Sequence, residues 1–546
     1  MKELIILFCL ILQIKLIYAQ QTTVIRGLEK EYWYSGIVTD GSILPINPDS
    51  TAYSRSYKNN NYGNQVSPIL ISTEGRYIWS EKPFEFSISN GTIKIKNFSE
   101  DSIFFSEKNK NLKSAYLELS NTFFPPSKKI PDTTLFTSPQ YNTWIELIYN
   151  QNQEDILKYA RAIKSNNFPP GVLMIDDNWQ EDYGKWNFHP GRFPNPRGMI
   201  DELHAMGFKV MLWVCPFVSP DCDIYRDAKD KRLFLMAGDS LKTKWVQAKN
   251  PAIINWWNGS SAELDFSNPE SVKWFKNQLK SLQQQYGIDG FKLDAGDTEF
   301  YVGNSEACST GIIAYNNSYT PNDHTEAFAK IGLDFPLNEY RATWKMGGQP
   351  LAQRLRDKAH NWEDLQKLIP DITLQGILGY PFTCPDMIGG GEYSWFLPGK
   401  QFDSELIVRS AQCHVFMPMM QFSVAPWRVL NSKHLDAIKQ AVTLRMKFTP
   451  YIIKTAKESA ISGEPIVRNL EYVFPHQGLH LIKDQFMLGN DLLIAPILSK
   501  GVSKRKVVLP KGKWLTPDGK VIKGGKTFEV DISLNSIPYF QRIYKK

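Results

Sequence analysis

Cysteine and histidine are scarce in this chain, with six and eight among 546 residues. With Cys9 set aside in the N-terminal apolar run, Cys215, Cys222, Cys308, Cys384 and Cys413 are left, an odd number that leaves at least one thiol free. Cys215 and Cys222 are the closest in sequence, and no Cys/His group has the spacing of a zinc site. No metal and no cofactor are therefore expected. The formal charge of +7 is spread without a run of five like charges, which removes the usual footprint of a nucleic-acid-binding arm. Past the N-terminus no stretch approaches the roughly eighteen uninterrupted apolar residues of a membrane span. Repeats and low-complexity tracts are missing as well, and Asn59-Asn60-Asn61 is too short to count as one.

What the chain does have is the composition of a globular protein, 42% hydrophobic and 13% aromatic with 15 Trp. Flat aromatic faces suit stacking on the C–H faces of sugar rings, although most such rings pack in cores. At the N-terminus, Met1-Lys2-Glu3 precedes an apolar run from Leu4 to Leu12 that continues, broken by Gln13 and Lys15, to Tyr18-Ala19. The pattern predicts a signal peptide over residues 1–19 and hence a secreted or lysosomal protein, with Lys15 arguing against a membrane span. A retained amphipathic anchor is the alternative. On that route, the sequons at Asn90, Asn97, Asn258 and Asn316 become candidate glycosylation sites.

The rhythm of the chain divides it. Residues 20–130 alternate polar and apolar positions in short runs such as Phe84-Glu-Phe-Ser-Ile and Thr92-Ile-Lys-Ile, which predicts an N-terminal β-sandwich. From about residue 131 apolar strands, Val172–Asp176, Lys209–Cys215 and Gly290–Asp294, are separated by helical or loop material. That alternation predicts an α/β fold, a (β/α)8 TIM barrel over residues 131–456 with an insertion around 218–270. Its closing helix is expected over His434–Ala456, and a C-terminal β-sandwich over 457–546.

Carboxylates recur where these strands end: Asp176 and Asp177, Asp294, and Asp386. The stretch Gly287 to Asp297 runs from an apolar strand straight into Asp294, the usual construction of a catalytic strand tip, though an Asp there also caps turns and helices. A barrel mouth ringed by acids and aromatics suits a reaction through an oxocarbenium-like state, so glycoside cleavage leads. Trp213, on the strand 209–215, is an aromatic candidate for the pocket, as are Trp256 and Trp257 in the insertion. Lys292 lies two residues before Asp294, on the same face of a strand.

Asp289-Gly-Phe-Lys-Leu-Asp-Ala-Gly-Asp297 resembles the nucleophile segment of glycoside hydrolase family 31. Trp362-Glu-Asp-Leu through Leu378-Gly-Tyr-Pro, Pro385-Asp-Met-Ile-Gly-Gly, and Gln485-Phe-Met-Leu-Gly-Asn-Asp-Leu-Leu-Ile-Ala-Pro resemble its later barrel strands and C-terminal domain. Within the family the motifs look closest to the myogenesis-regulating glycosidase branch, associated with α-galactosidase activity. The resemblance implies a retaining exo-α-glycosidase acting on a small oligosaccharide or glycoconjugate, with Asp294 as nucleophile and Asp357 as acid/base. It further implies that Arg341 contacts the sugar and the acid, that Asp176 binds sugar hydroxyls, and that Asp386 is a substrate-side acid.

Two departures from the family pattern bear on these roles. The segment Arg354-Leu-Arg-Asp-Lys lacks the family's Trp-x-Gly-Asp form, so Asp357 is reached by spacing, with Asp364 as fallback. The adjacent bases Arg356 and Lys358 would favour the ionised form of Asp357, so either they point away or the pH optimum is low. Near the last strand, a His of α-glucosidase members is replaced by Pro418-Met-Met-Gln-Phe-Ser-Val-Ala-Pro-Trp, which makes Gln421, Ser423 and Trp427 candidates for an altered sugar pocket. An α-glucosidase, an α-xylosidase, or a catalytically silent sugar-binding glycoprotein are the alternatives.

Overall fold

The computed structural model describes residues 22–50, 52–97, 103–238, 245–308 and 311–544. The signal segment 1–19 and the side chain and sequon of Asn97 lie outside the described residues.

Nine short parallel strands form the central sheet: β1 (Gln140–Asn142), β2 (Val172–Ile175), β3 (Lys209–Val214), β4 (Gly290–Leu293), β5 (Leu337–Tyr340), β6 (Gln353–Arg354), β7 (Thr383–Cys384), β8 (Met387–Ile388) and β9 (Gln421–Phe422). Their order is β7-β6-β5-β4-β3-β2-β1-β9-β8. The two edge strands, β7 and β8, are consecutive in the chain, joined only by Pro385-Asp386. They are therefore two halves of one barrel strand, the first paired to β6 and the second to β9, and the ring of eight closes through that break. Proline removes a ladder donor and Asp386 adopts a left-handed φ of 75°, which is why pairing changes partner there.

The sequence explains how β4 is delivered. Helix Pro269–Tyr286 starts with Asn268 accepting from the Glu270 amide and with Pro269 in its first turn, and it stops at Gly287, whose φ of 81° suits a residue without Cβ. Gly290 then lies so close to β5 that a Cβ would meet the Leu337 carbonyl oxygen at 1.9 Å. The register Trp213–Lys292–Glu339 across β3, β4 and β5 sets these side chains side by side.

Two antiparallel sheets precede the barrel, one holding Phe84–Ser89 and Thr92–Asn97, the other Trp33–Ile37 and Gln65–Ser72. The second sheet recruits Thr343–Trp344 from the barrel region, which pairs in parallel with Gln65 and Val66. That pairing brings the N-terminal loop 59–65 against the barrel mouth. Between β3 and helix Pro269–Tyr286 an insertion folds as a helix, Asp223–Asp230, and a hairpin, Ile253–Trp256 with Gly259–Glu263, paired to Phe217–Val218. The long helix spans Ser432–Ser462, beyond the expected His434–Ala456 at both ends, and leads into a six-stranded C-terminal sheet. The five described cysteines are buried, and Cys215, Cys222, Cys384 and Cys413 are free thiols.

Candidate active site

At the C-terminal end of the barrel a cavity of about 460 Å³ is lined by Asp176, Asp177, Trp213, Lys292, Asp294, Arg341 and Asp357. That volume is in the usual range for a small-molecule site. A cavity of about 700 Å³ on the N-terminal domain, lined by Arg55, Glu85, Lys94 and Lys96 among others, contains none of these residues. Among the described residues, no group of three His, Cys, Asp or Glu is arranged to hold a metal ion.

Asp294 directly follows β4, and its carboxylate is fixed from three sides. Oδ1 accepts from Arg341 Nε at 3.2 Å and from the Ala295 amide at 2.9 Å, and Oδ2 accepts from Trp213 Nε1 at 3.1 Å. Ala295 sits at φ 60°, a left-handed turn that is uncommon for a residue with a Cβ. Burial would raise the proton affinity of Asp294, but Arg341, then Lys292 and Arg354, outweigh it and hold the group ionised far below the usual carboxylate range.

Asp357 lies three residues beyond β6. Its Oδ1 accepts from Arg354 Nη1 at 2.5 Å, and the same Nη1 reaches Asp386 Oδ1 at 2.9 Å. Arg354 Nε stands 3.2 Å from Glu339 Oε1, so one arginine, 1% exposed, joins three carboxylates. Burial raises the proton affinity of Asp357 and the charge of Asp294 adds to that, yet Arg354, Lys292 and Arg341 pull it below the ordinary value. The Asp357 side chain is 55% exposed, and water there screens part of that pull. Gly391 faces it closely, since a Cβ on that glycine would fall 2.4 Å from Asp357 Cγ.

Of the two alternatives for the adjacent bases Arg356 and Lys358, Lys358 points away, and the largest pull on Asp357 comes from Arg354, with Lys292 and Arg341 behind it. The Lys358 amide and ammonium are turned to Asp386 Oδ2 and the Pro385 carbonyl. Asp386 itself is fully buried behind the cavity, bonded to Arg354 and the Lys358 amide, so it anchors the arginine instead of facing substrate. Asp364 is set apart on the first turn of helix Trp362–Ile377, accepting from the Ala359 amide and pairing with Lys367.

Asp176 Oδ2 accepts from Lys292 Nζ at 2.7 Å and from Asn142 Nδ2 at 2.7 Å, forming a buried floor to the cavity. Arg341 spends its fork on protein: besides Asp294 it donates to Asp297 Oδ2 at 2.6 Å and to the Gly63 carbonyl at 3.0 Å, and no bond from it to Asp357 is formed. Asp177 is also saturated. Oδ1 accepts from the Asn178 amide at 2.6 Å and Gln180 Nε2 at 3.4 Å, and Oδ2 from Tyr183 at 3.2 Å and Asn258 Nδ2 at 2.5 Å. Burial and the neighbouring Asp176 push Asp177 up to about 7.

Three pocket candidates lie elsewhere. Gln421 is fully buried below the cavity, donating to Gln140 and to Glu339 Oε2 at 2.7 Å. Ser423 donates to the Ile388 and Gly390 carbonyls. Trp427 packs on Tyr159 and Phe168, in the outer core. Of the insertion tryptophans, Trp257 lines the cavity while Trp256 packs parallel to Trp213 behind it. Asn90 and Asn316 are exposed, as a glycosylated Asn must be; the Asn258 side chain is turned into the site.

The N-terminal domain supplies parts that the sequence left unread. Asn61 Nδ2 donates to Asp297 Oδ1 at 3.0 Å, and Asn64 and Gln65 donate to the carbonyls of Arg341 and Arg354. The short Asn59–Asn61 tract thus braces the strand tips that carry the site. Its only signal in the sequence is clustering of Asn in a β-rich segment.

A family model described as the glycosyl hydrolases family 31 TIM-barrel domain matches residues 135–455, and one described as the family 31 C-terminal domain matches residues 463–543. Myogenesis-regulating glycosidase of Mus musculus is 31% identical over 429 residues, 77% of this chain and 58% of that protein. SITS-binding protein of Tetronarce californica is 28% identical over 454 residues, 79% of this chain and 61% of that protein. The chain therefore spans about three fifths of the length of these relatives. In fold, it matches a family 31 dextranase of Flavobacterium johnsoniae complexed with glucose at a TM-score of 0.80 and 19% identity, covering 95% of this chain and 66% of that one. An α-xylosidase from a soil metagenome, complexed with xylose, matches at 0.78 and 22% identity, covering 95% and 79%.

Proposed function

Because the chain belongs to glycosyl hydrolase family 31, we propose that it is a retaining exo-α-glycosidase that releases a terminal α-linked hexose, α-galactose in the first instance. The observation that carries this reading is a pair of aspartates, Asp294 and Asp357, on the tips of β4 and β6 and lining one cavity. Asp294, held ionised, attacks the anomeric carbon. Asp357 protonates the departing oxygen, then takes a proton from the water that releases the sugar. The buried Lys292–Asp176 pair closes the floor, which favours a chain end over an internal linkage.

Preference for galactose rests on the motifs Lys292-Leu-Asp-Ala-Gly-Asp297 and Tyr380 to Gly390, which resemble the branch associated with that activity. Since Gln421 and Trp427 do not line the cavity, they no longer argue for it. Parallel assays of aryl α-galactoside, α-glucoside and α-xyloside test the choice: fastest kcat/KM on the galactoside is expected, and no galactoside cleavage beside turnover of another sugar would transfer the reading to an α-glucosidase or α-xylosidase.

Activity on an unactivated disaccharide is expected to be highest at acidic pH. The acid step needs protonated Asp357, whose proton affinity is lowered chiefly by Arg354 against burial, so the protonated fraction falls about tenfold for each pH unit above its pKa. Asp294 stays ionised throughout that range and imposes no loss on the acid side. A pH profile of kcat/KM with its maximum at or above neutrality would contradict this assignment. For location we propose the secretory pathway, on the apolar run Leu4–Leu12 and the exposed sequons at Asn90 and Asn316.

A further inference from the structure

Asn258 occupies the tip of the insertion hairpin, between Ile253–Trp256 and Gly259–Glu263, within the sequon Asn258-Gly259-Ser260. Its amide is half-buried and turned onto protein partners. Nδ2 donates to Asp177 Oδ2 at 2.5 Å and to the Tyr183 hydroxyl at 2.9 Å, and Oδ1 accepts from the Tyr149 hydroxyl at 3.0 Å. Three chain segments, the β1 loop, the β2 loop and the insertion, meet at this one amide. An Asn bearing a glycan keeps a single N–H on Nδ2, so a sugar there would displace Asp177 or Tyr183. A glycan at Asn258 and both of these bonds therefore exclude each other.

The next residue shows what the amide holds in place. Trp257 is 52% exposed yet lines the cavity, with the Arg341 guanidinium 6.0 Å from its ring centroid. The Trp257 ring meets those of Trp256 and Phe300, with centroids 5.2 and 6.1 Å apart, and the adjacent Asn258 is tied at both of its polar atoms. Asp177, whose oxygens are already spent on protein donors, is the fixed end of that tie.

Resting on the glycosidase reading, we propose that Asn258 and Asp177 form a latch, free of glycan, that holds the insertion hairpin closed and keeps Trp257 as a wall on which a sugar ring of the substrate stacks. Asp177 is thereby a positioning residue, not a ligand for sugar hydroxyls. The apolar face of a sugar packs on an indole, and above about pH 7, where Asp177 is ionised, the bond from Asn258 is charge-assisted and so the stronger kind of tether.

Asn258→Asp keeps the shape of the side chain and replaces the donor with a second carboxylate. The groups around the pair are Asp176 with Lys292 beneath it, Tyr183 and Tyr149 beside it, and the buried Cys215 thiol. None of these supplies a cation to offset the new charge at the tip, because Lys292 is bound to Asp176. At pH 8 the variant's hairpin 253–263 is expected to exchange backbone amides faster than that of the wild type, and KM for an α-glycoside to rise about tenfold or more with a smaller change in kcat. At pH 5, where one of the two carboxyls takes up a proton and becomes a donor, both differences shrink. Ser260→Ala removes the sequon and one exposed bond to Asn255 but keeps the Asn258 amide, and is expected to match the wild type in kinetics and, apart from the substitution itself, in mass. Trp257→Ala is expected to reproduce the rise in KM without faster exchange elsewhere in the hairpin. A glycan found on Asn258, or hairpin exchange in Asn258→Asp equal to wild type at pH 8, would overturn the latch. Exchange needs no turnover, so a protein that cleaves no α-glycoside but opens its hairpin in this variant would refute the glycosidase reading alone.

Discussion

Asp294→Ala is expected to lower kcat by ~10⁴-fold or more, because the proposed mechanism has no other nucleophile to form the glycosyl-enzyme. The fold survives the change. Arg341 keeps Asp297 and the Gly63 carbonyl as partners, so its guanidinium is not left unpaired in the interior. Trp213 loses the acceptor for its indole N–H, a cost of about 1–3 kcal/mol that a protein of this size absorbs. The space vacated by the carboxylate admits a small anion. With azide and an activated aryl α-glycoside, azide attacks the anomeric carbon as the phenolate leaves, and the product is the β-glycosyl azide. Loss of activity with inverted azide product is the expected pair of results; turnover within tenfold of wild type would remove Asp294 from the reaction.

Asp357→Ala is expected to divide substrates by leaving group. A disaccharide, whose departing alkoxide needs a proton, loses roughly 10²–10⁴-fold in kcat/KM, while an aryl glycoside with an acidic phenol keeps most of its first-step rate. The second step still lacks its base, so the aryl substrate gives a burst of phenol followed by slow release. Geometry predicts a side effect. Arg354 Nη1 loses one partner but retains Asp386, and its Nε still faces Glu339, so the buried arginine stays compensated and the protein stays folded. Equal losses on both substrate types would mean that another group donates the proton.

The acids that line the cavity were legible where a strand ends in one. Val172–Ile175 into Asp176 and Gly290–Leu293 into Asp294 announce themselves because a buried parallel strand is a continuous apolar run and its C-terminal tip faces the mouth. Lys292 was likewise placed by the two-residue period. Less legible was anything that depends on how far a tip residue stands above the floor. Gln421, a barrel residue like the others, is one layer too low and is consumed by Gln140 and Glu339. Asp386 is drawn behind the wall by the break in its strand, and Trp427, five residues past β9's end, has already turned outward onto Phe168. Contributions from distant segments left almost no local signal. Arg354 joins Asp357, Asp386 and Glu339 only because β5, β6 and the β7–β8 break are neighbours in the ring, and Asn61 reaches Asp297 only because Thr343–Trp344 pairs with the N-terminal sheet. Asn258 reads as a sequon on any local rule; its role at the hairpin tip is tertiary.

The most direct test of the two-aspartate mechanism is to trap the glycosyl-enzyme. Incubating the wild-type protein with a mechanism-based fluorinated α-glycosyl fluoride, then mapping the labelled peptide by mass, is expected to give one sugar per chain, ester-linked to Asp294. A sugar found on any other side chain, or continued hydrolysis without a covalent adduct, would contradict the account.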